Sequence, residues 1–172
     1  MTWKLALASL LLWPLVTAQA QQRKGQSGLA LPRFVSLKSN PVNLRTGPGR
    51  QYPKAWVFRR AGLPVEIYEE YGNWRRVRDS EGASGWILRT LLSGRRTALV
   101  LPWNKAKAGQ RTYANLLSRA RTSSSPVAKL EAGSLVSIRS CDGRWCFVAV
   151  SKYRGFMEQK LLWGVYKDEE LN

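Results

Sequence analysis

Apolar and polar residues alternate along this chain with a period of two, broken every few residues by glycine, proline and asparagine. Leu63, Val65 and Ile67 alternate with Glu66 and Tyr68, the pattern of a strand with one wet face. Tyr71-Gly72-Asn73 turns the chain, and Trp74 to Arg78 returns with Val77 on one face and Trp74, Arg76 and Arg78 on the other. Arg33 to Leu37, Val42 to Arg45, Ala55 to Phe58 and Gly85 to Leu88 read as further short strands. Thr46-Gly47-Pro48-Gly49 must be a loop, because proline and two glycines break either regular structure. Five or six short strands in about 60 positions, with no helix-length period, predict a small barrel or sandwich.

The pattern then recurs. Val42-Asn43-Leu44 is answered by Ala114-Asn115-Leu116, Ala61-Gly62-Leu63 by Ala132-Gly133-Ser134-Leu135, and Gly72-Asn73-Trp74 by Gly143-Arg144-Trp145. Gly85-Trp86-Ile87 is answered by Gly155-Phe156-Met157, and Leu91-Leu92 by Leu161-Leu162. The offset drifts only from 72 to 70, so one or two indels relate the copies. A repeat of this length can bury a core of its own, which predicts two tandem domains of one all-β fold. In the second copy, Val127 to Leu130, Leu135 to Arg139, Trp145 to Val150 and Gly155 to Gln159 are the expected strands, and Leu161 to Val165 closes the unit. Thr97 to Trp103 leads into it and Asn104 to Thr112 reads as a basic connector. The expected boundaries are residues 32–95 and 96–166, with an exposed polar linker at 21–31 and a charged tail at 167–172.

Composition adds a compartment. Lys4, the apolar stretch Leu5 to Val16 and Ala18-Gln19-Ala20 have the order of a secretory signal peptide over residues 1–20. Its apolar run is too short for the roughly 20 residues a membrane-spanning helix needs. No later stretch suggests an anchor, so an exported protein, periplasmic or secreted, is expected. The formal net charge is +17, with 13 basic against 5 acidic residues in 33–96 and 12 against 6 in 97–172. So even a coat attracts polyanions in general, rather than marking a nucleic-acid or membrane arm.

Cys141 and Cys146 bracket Asp142-Gly143-Arg144-Trp145, and Asp-Gly is a hairpin-turn signal. Residues flanking a short hairpin approach within disulfide range, and exported chains oxidise their thiols, so a structural disulfide is expected. A redox-active pair or half a metal site is the alternative. With no histidine and no other thiol, however, a tetrahedral zinc site lacks ligands.

Catalysis finds little to use. Without histidine, Ser-His-Asp and Cys-His arrangements are excluded within the chain. Glu69 and Glu70 are adjacent and would lie on opposite faces of a strand, not as a facing acid–base pair. No catalytic residue, metal or cofactor is expected. Binding is better served. Tyr68, Trp74, Arg76 and Arg78 fall on one polar face, and Arg45, Tyr52 and Trp56 lie near it in sequence. Aromatic rings stack on sugars and arginine forks grip carboxylate or phosphate.

Val42-Asn43-Leu44-Arg45-Thr46-Gly47-Pro48-Gly49, Gly62-Leu63-Pro64-Val65, Asn73-Trp74-Arg75-Arg76-Val77 and Gly85-Trp86-Ile87 together resemble a bacterial SH3-like domain. Ser93-Gly94-Arg95-Arg96-Thr97 and the Cys-Asp-Gly-Arg-Trp-Cys stretch are similar to exported tandem versions. The second copy departs from the pattern, with Leu117-Ser118-Arg119-Ala120-Arg121 in place of the Arg-Thr-Gly-Pro-Gly loop and Phe156 in place of tryptophan. The resemblance implies two small SH3-like β-barrels serving as a non-catalytic binding or targeting module of the cell envelope, contacting peptidoglycan or an envelope protein. The competing reading is a polyanion-binding protein for anionic lipid, envelope phosphate or nucleic acid. A hydrolase accessory is a third.

Overall fold

In the computed structural model the described residues are 23–101, 103 and 111–172. The expected signal peptide and most of the basic connector lie outside them. A short hairpin, β1 (Arg23–Lys24) and β2 (Ala30–Leu31), precedes the first sheet. That sheet comprises β3 (Arg33–Leu37), β4 (Val42–Arg45), β5 (Lys54–Phe58), β6 (Pro64–Tyr71), β7 (Trp74–Arg78), β8 (Ser84–Leu88) and β9 (Leu92–Ser93). The second holds β10 (Thr97–Val100), β11 (Tyr113–Leu117), β12 (Pro126–Glu131), β13 (Leu135–Asp142), β14 (Trp145–Val150), β15 (Tyr153–Glu158), β16 (Leu162–Trp163) and β17 (Glu170–Leu171). Two SH3-like β-barrels result, as the alternation predicts. No helix among the described residues is long and apolar enough to cross a membrane.

The copies share their wiring. Sheet order runs β5-β4-β8-β7-β6-β3-β9 in the first and β12-β11-β15-β14-β13-β10-β16 in the second. The register repeats as well: Leu44 faces Trp56 and Arg45 faces Trp86, while Leu116 faces Ala128 and Leu117 faces Phe156. Each long strand bulges at one matching point, between Ile67 and Glu69 and between Ile138 and Ser140. Each barrel buries its own apolar set. Leu37, Val42, Leu44, Val65, Ile67, Val77 and Ile87 fill the first, and Val100, Leu116, Val136, Val148 and Met157 the second.

The repeated glycine before Trp86 and Phe156 has a steric cause. A Cβ on Gly85 would lie 2.7 Å from the Arg45 carbonyl oxygen, and one on Gly155 would lie 2.5 Å from that of Leu117. Only glycine lets β8 pass so close to β4, and β15 to β11.

Residues 23–31, expected as part of an unpatterned exposed linker, are mostly exposed but form the β1–β2 hairpin, which is tied to the barrel. Within the described part, the Ser27 backbone N–H and Oγ donate to Glu70 Oε2 and Oε1, both at 2.7 Å, and Leu31 is buried. Glu70 also takes Arg33 at 2.7 Å and Arg75 at 3.2 Å, so one inward-facing carboxylate pins the hairpin to the barrel. The 167–172 tail is likewise built in. β17 pairs with β13, and Glu169 receives Arg96 at 2.8 Å and the Tyr166 N–H at 2.8 Å. Both segments are short and polar; partners distant in sequence hold them, not local pattern.

The barrels touch. Glu66, 2% exposed, accepts from Arg78 and from Tyr166 Oη at 2.9 Å. Phe34 packs edge-on to Trp163 and against Tyr166, with ring centroids 5.1 and 4.8 Å apart. Thr97 Oγ1 donates to the Gly62 carbonyl at 2.7 Å. Burial, reinforced by the hydrogen bond to Glu66, raises Tyr166 above the usual phenol range, so this contact keeps its proton. We propose residues 95 and 96 as the domain boundary.

Candidate functional site

The outer face of β6, β7 and β8 carries a cationic–aromatic row. Alternation after Ile67 turns Tyr68 outward, and the bulge there brings Glu69 opposite Arg76, which stands opposite Trp86. The Arg76 guanidinium lies 5.5 Å from the Tyr68 ring centre and 6.0 Å from that of Trp86. Its Nη1 donates to Glu69 at 3.1 Å, a bond that raises the guanidinium pKa and fixes its orientation. Arginine has five donors, and the Arg76 side chain is 45% exposed, so the fork keeps donors open to solvent. Arg78, two residues on and roughly 7 Å away along the same face, directs Nε to Glu66 with its side chain 53% exposed. Two guanidinium groups therefore point outward, each anchored by a carboxylate. Trp74, half-buried, continues the row on β7.

The sequence-selected residues are not all in this place. Tyr68, Trp74, Arg76 and Arg78 share the face. Tyr68 Oη also bonds Ser84 Oγ. Arg45 instead turns its Nη1 to the carbonyls of Arg50 and Tyr52, at 3.0 and 2.6 Å, and so clamps the loop after β4. Tyr52 lies in that loop with its ring over Gly47, where a Cβ would come within 2.4 Å. Trp56 stands on the edge strand β5 and lines a different groove, with Leu63 and Leu99. Sequence reasoning missed Glu69 as the group that orients Arg76, and Trp86 as the floor of the row. Trp86 is 8% exposed, yet it lies outside the apolar core cluster. Its signal was legible in part: Gly85-Trp86-Ile87 puts Ile87 inward and therefore Trp86 outward. Among the described residues, no three acidic or cysteine side chains converge as metal ligands would.

Residues 38–94 and 110–164 each match the family described as Bacterial SH3 domain. The chain belongs to that family. No curated protein matches it. Among solved structures it resembles NlpC1 and NlpC2 from Trichomonas vaginalis, each at 18% identity and a TM-score of 0.33. The matches cover 81% and 77% of this chain and 48% of each of those, so it spans about half their length.

The second SH3 domain lacks the row. Where the first has Glu69, Arg76, Trp86 and Arg45 in register, the second has Ser140, Phe147, Phe156 and Leu117. Phe147 and Phe156 pack at 5.1 Å. The three charged positions of the first copy, Arg45, Glu69 and Arg76, are thus uncharged in the second, as Leu117, Ser140 and Phe147. Below that surface Cys141 and Cys146 are bonded, with Cα atoms 4.1 Å apart, as the bracketed Asp-Gly turn predicts. Asp142 Oδ1 accepts the N–H groups of Arg144 and Trp145, which closes the turn and lowers the Asp142 pKa.

Proposed function

We propose that this tandem SH3 protein is a non-catalytic binding module of the cell envelope, exported to the periplasm or beyond, and that the first domain makes the contact. The observation that carries the reading is the Tyr68–Arg76–Trp86 row with Arg78 and Trp74 beside it. Stacking surfaces adjoin two outward guanidinium forks there. Peptidoglycan presents sugar faces and carboxylates together, which that combination suits. The domain family, whose members serve as binding modules, supports the same reading, and a disulfide fits an oxidising compartment.

The general-polyanion reading draws on the same charge and separates by salt. Co-sedimentation of the mature protein with purified sacculi is expected to change by less than about tenfold in affinity between 50 and 200 mM salt. Binding through six or so phosphates would lose about a thousandfold over that range. A loss of that size with sacculi, matched by equal binding to anionic vesicles, would replace wall recognition with charge alone.

A further inference from the structure

A second groove lies where the two domains meet, and its chemistry is opposite to that of the arginine face. Its apolar wall consists of Trp56, Phe58, Leu63 and Pro64 from the first domain and Leu99 from the second. The Asp79–Ala83 turn forms the other side of a space of about 300 Å³. An adjoining space of about 520 Å³ shares Trp56, Phe58 and Leu63 and adds Val57 and Arg59. Trp56 is 60% exposed.

The barrel itself does not need an indole here. In the second domain Ala128 occupies the matching register, opposite Leu116 as Trp56 is opposite Leu44. The groove also depends on the docking of β10 against β6, which the Thr97–Gly62 bond secures.

Electrostatics select the occupant. In a chain of net charge +17, the described residues that line this groove include Asp79 and no basic side chain. Asp79 Oδ1 accepts from the Glu81 and Ala83 N–H groups, at 2.9 Å each, which holds the turn. No ion pair reaches Asp79 among the described residues. An indole face, an aliphatic wall and a carboxylate are the three elements that recognise an ammonium group on a methylene stem.

We propose that this groove binds an extended peptide through a primary-ammonium side chain, with the stem against Phe58, Leu63 and Leu99 and the ammonium between Trp56 and Asp79. The site does not depend on the arginine face and would survive the failure of that assignment.

The test is an amide and indole NMR titration of the mature protein at 150 mM salt, where surface charge is screened beyond about 8 Å. The probes are the capped tripeptides Ac-Ala-Lys-Ala-NH₂ and Ac-Ala-Nle-Ala-NH₂, which share a stem and differ in the ammonium. The lysine peptide is expected to shift the Trp56 indole resonance, assigned by its loss in Trp56→Ala, and to bind about tenfold more tightly than the norleucine peptide. Asp79→Asn keeps the Oδ1 acceptor of the turn and is expected to remove that tenfold preference. Equal binding of the two peptides, shifts confined to other faces, or an unchanged preference in Asp79→Asn would each overturn the assignment.

Discussion

Glu70→Gln is expected to destabilise the protein by about 3 kcal/mol, a large share of what a domain of this size has in reserve. The carboxylate is buried against Ser27, Arg33 and Arg75, and Arg75 is itself buried. A neutral amide leaves two guanidinium groups facing each other without a counter-charge. Burial alone would raise the Glu70 pKa, but the Ser27 and Arg33 hydrogen bonds and the Arg75 charge outweigh it and hold the pKa at about 2. The folded value is depressed, so this stabilisation is complete above the unfolded value of 4.5 and is lost as pH falls from there through about 2. Urea unfolding across pH 2 to 7 is the measurement. Wild type should lose about 3 kcal/mol on the acid limb that Glu70→Gln has already lost at pH 7. Coincident acid limbs, offset by a constant amount, would show that Glu70 is not the group responsible. Limited proteolysis gives a second reading, because the variant should expose cleavage at Arg23 and Lys24 once Ser27 lets go.

Gly85→Ala is expected to cost about 2 kcal/mol or more, although alanine is otherwise the mildest of substitutions. Its methyl group would sit 2.7 Å from the Arg45 carbonyl oxygen and equally close to Leu44, so β4 and β8 must part. Backbone cannot yield as a flexible side-chain end would. Gly94→Ala is the control, since nothing lies within 4 Å of a Cβ there, and its effect should stay within about 0.5 kcal/mol. Thermal or urea denaturation of the two variants separates close approach from a general dislike of extra bulk. Equal stability would remove the steric account of the repeated glycine.

The sequence was most informative where structure is local and periodic. Val65 and Ile67 against Glu66 fixed the inward face of β6, and the spacing of Val77 from Trp74, Arg76 and Arg78 fixed that of β7. Duplication supplied the second barrel even where its loop diverged, because Asn115, Gly133 and Gly155 kept their places. The cysteine pair was legible because five residues and an Asp-Gly turn admit little else. Long-range partners were not legible. Nothing near Glu70 in sequence announces that Ser27, 43 residues earlier, will bind it, and Tyr166 meets Glu66 across 100 residues. The same limit explains Arg45. Its position on the polar edge of β4 was readable, but not that the returning loop would offer it two carbonyls. Glu69 stands opposite Arg76 only because β6 bulges after Ile67, and a bulge leaves no mark on simple alternation.

The proposed division of labour, with the first domain gripping and the second not, rests on the row around Arg76. Its most direct test borrows the second domain's own residue. Arg76→Phe, joined to Trp74→Ala, places at position 76 the ring that Phe147 already presents in the matching register, so the barrel should stay folded by circular dichroism. Loss of a charge-assisted contact and a stacking surface is expected to weaken sacculus binding roughly a hundredfold at 150 mM salt. Co-sedimentation of that folded variant beside wild type is the decisive comparison. Undiminished binding would place the contact elsewhere on the molecule and contradict the account.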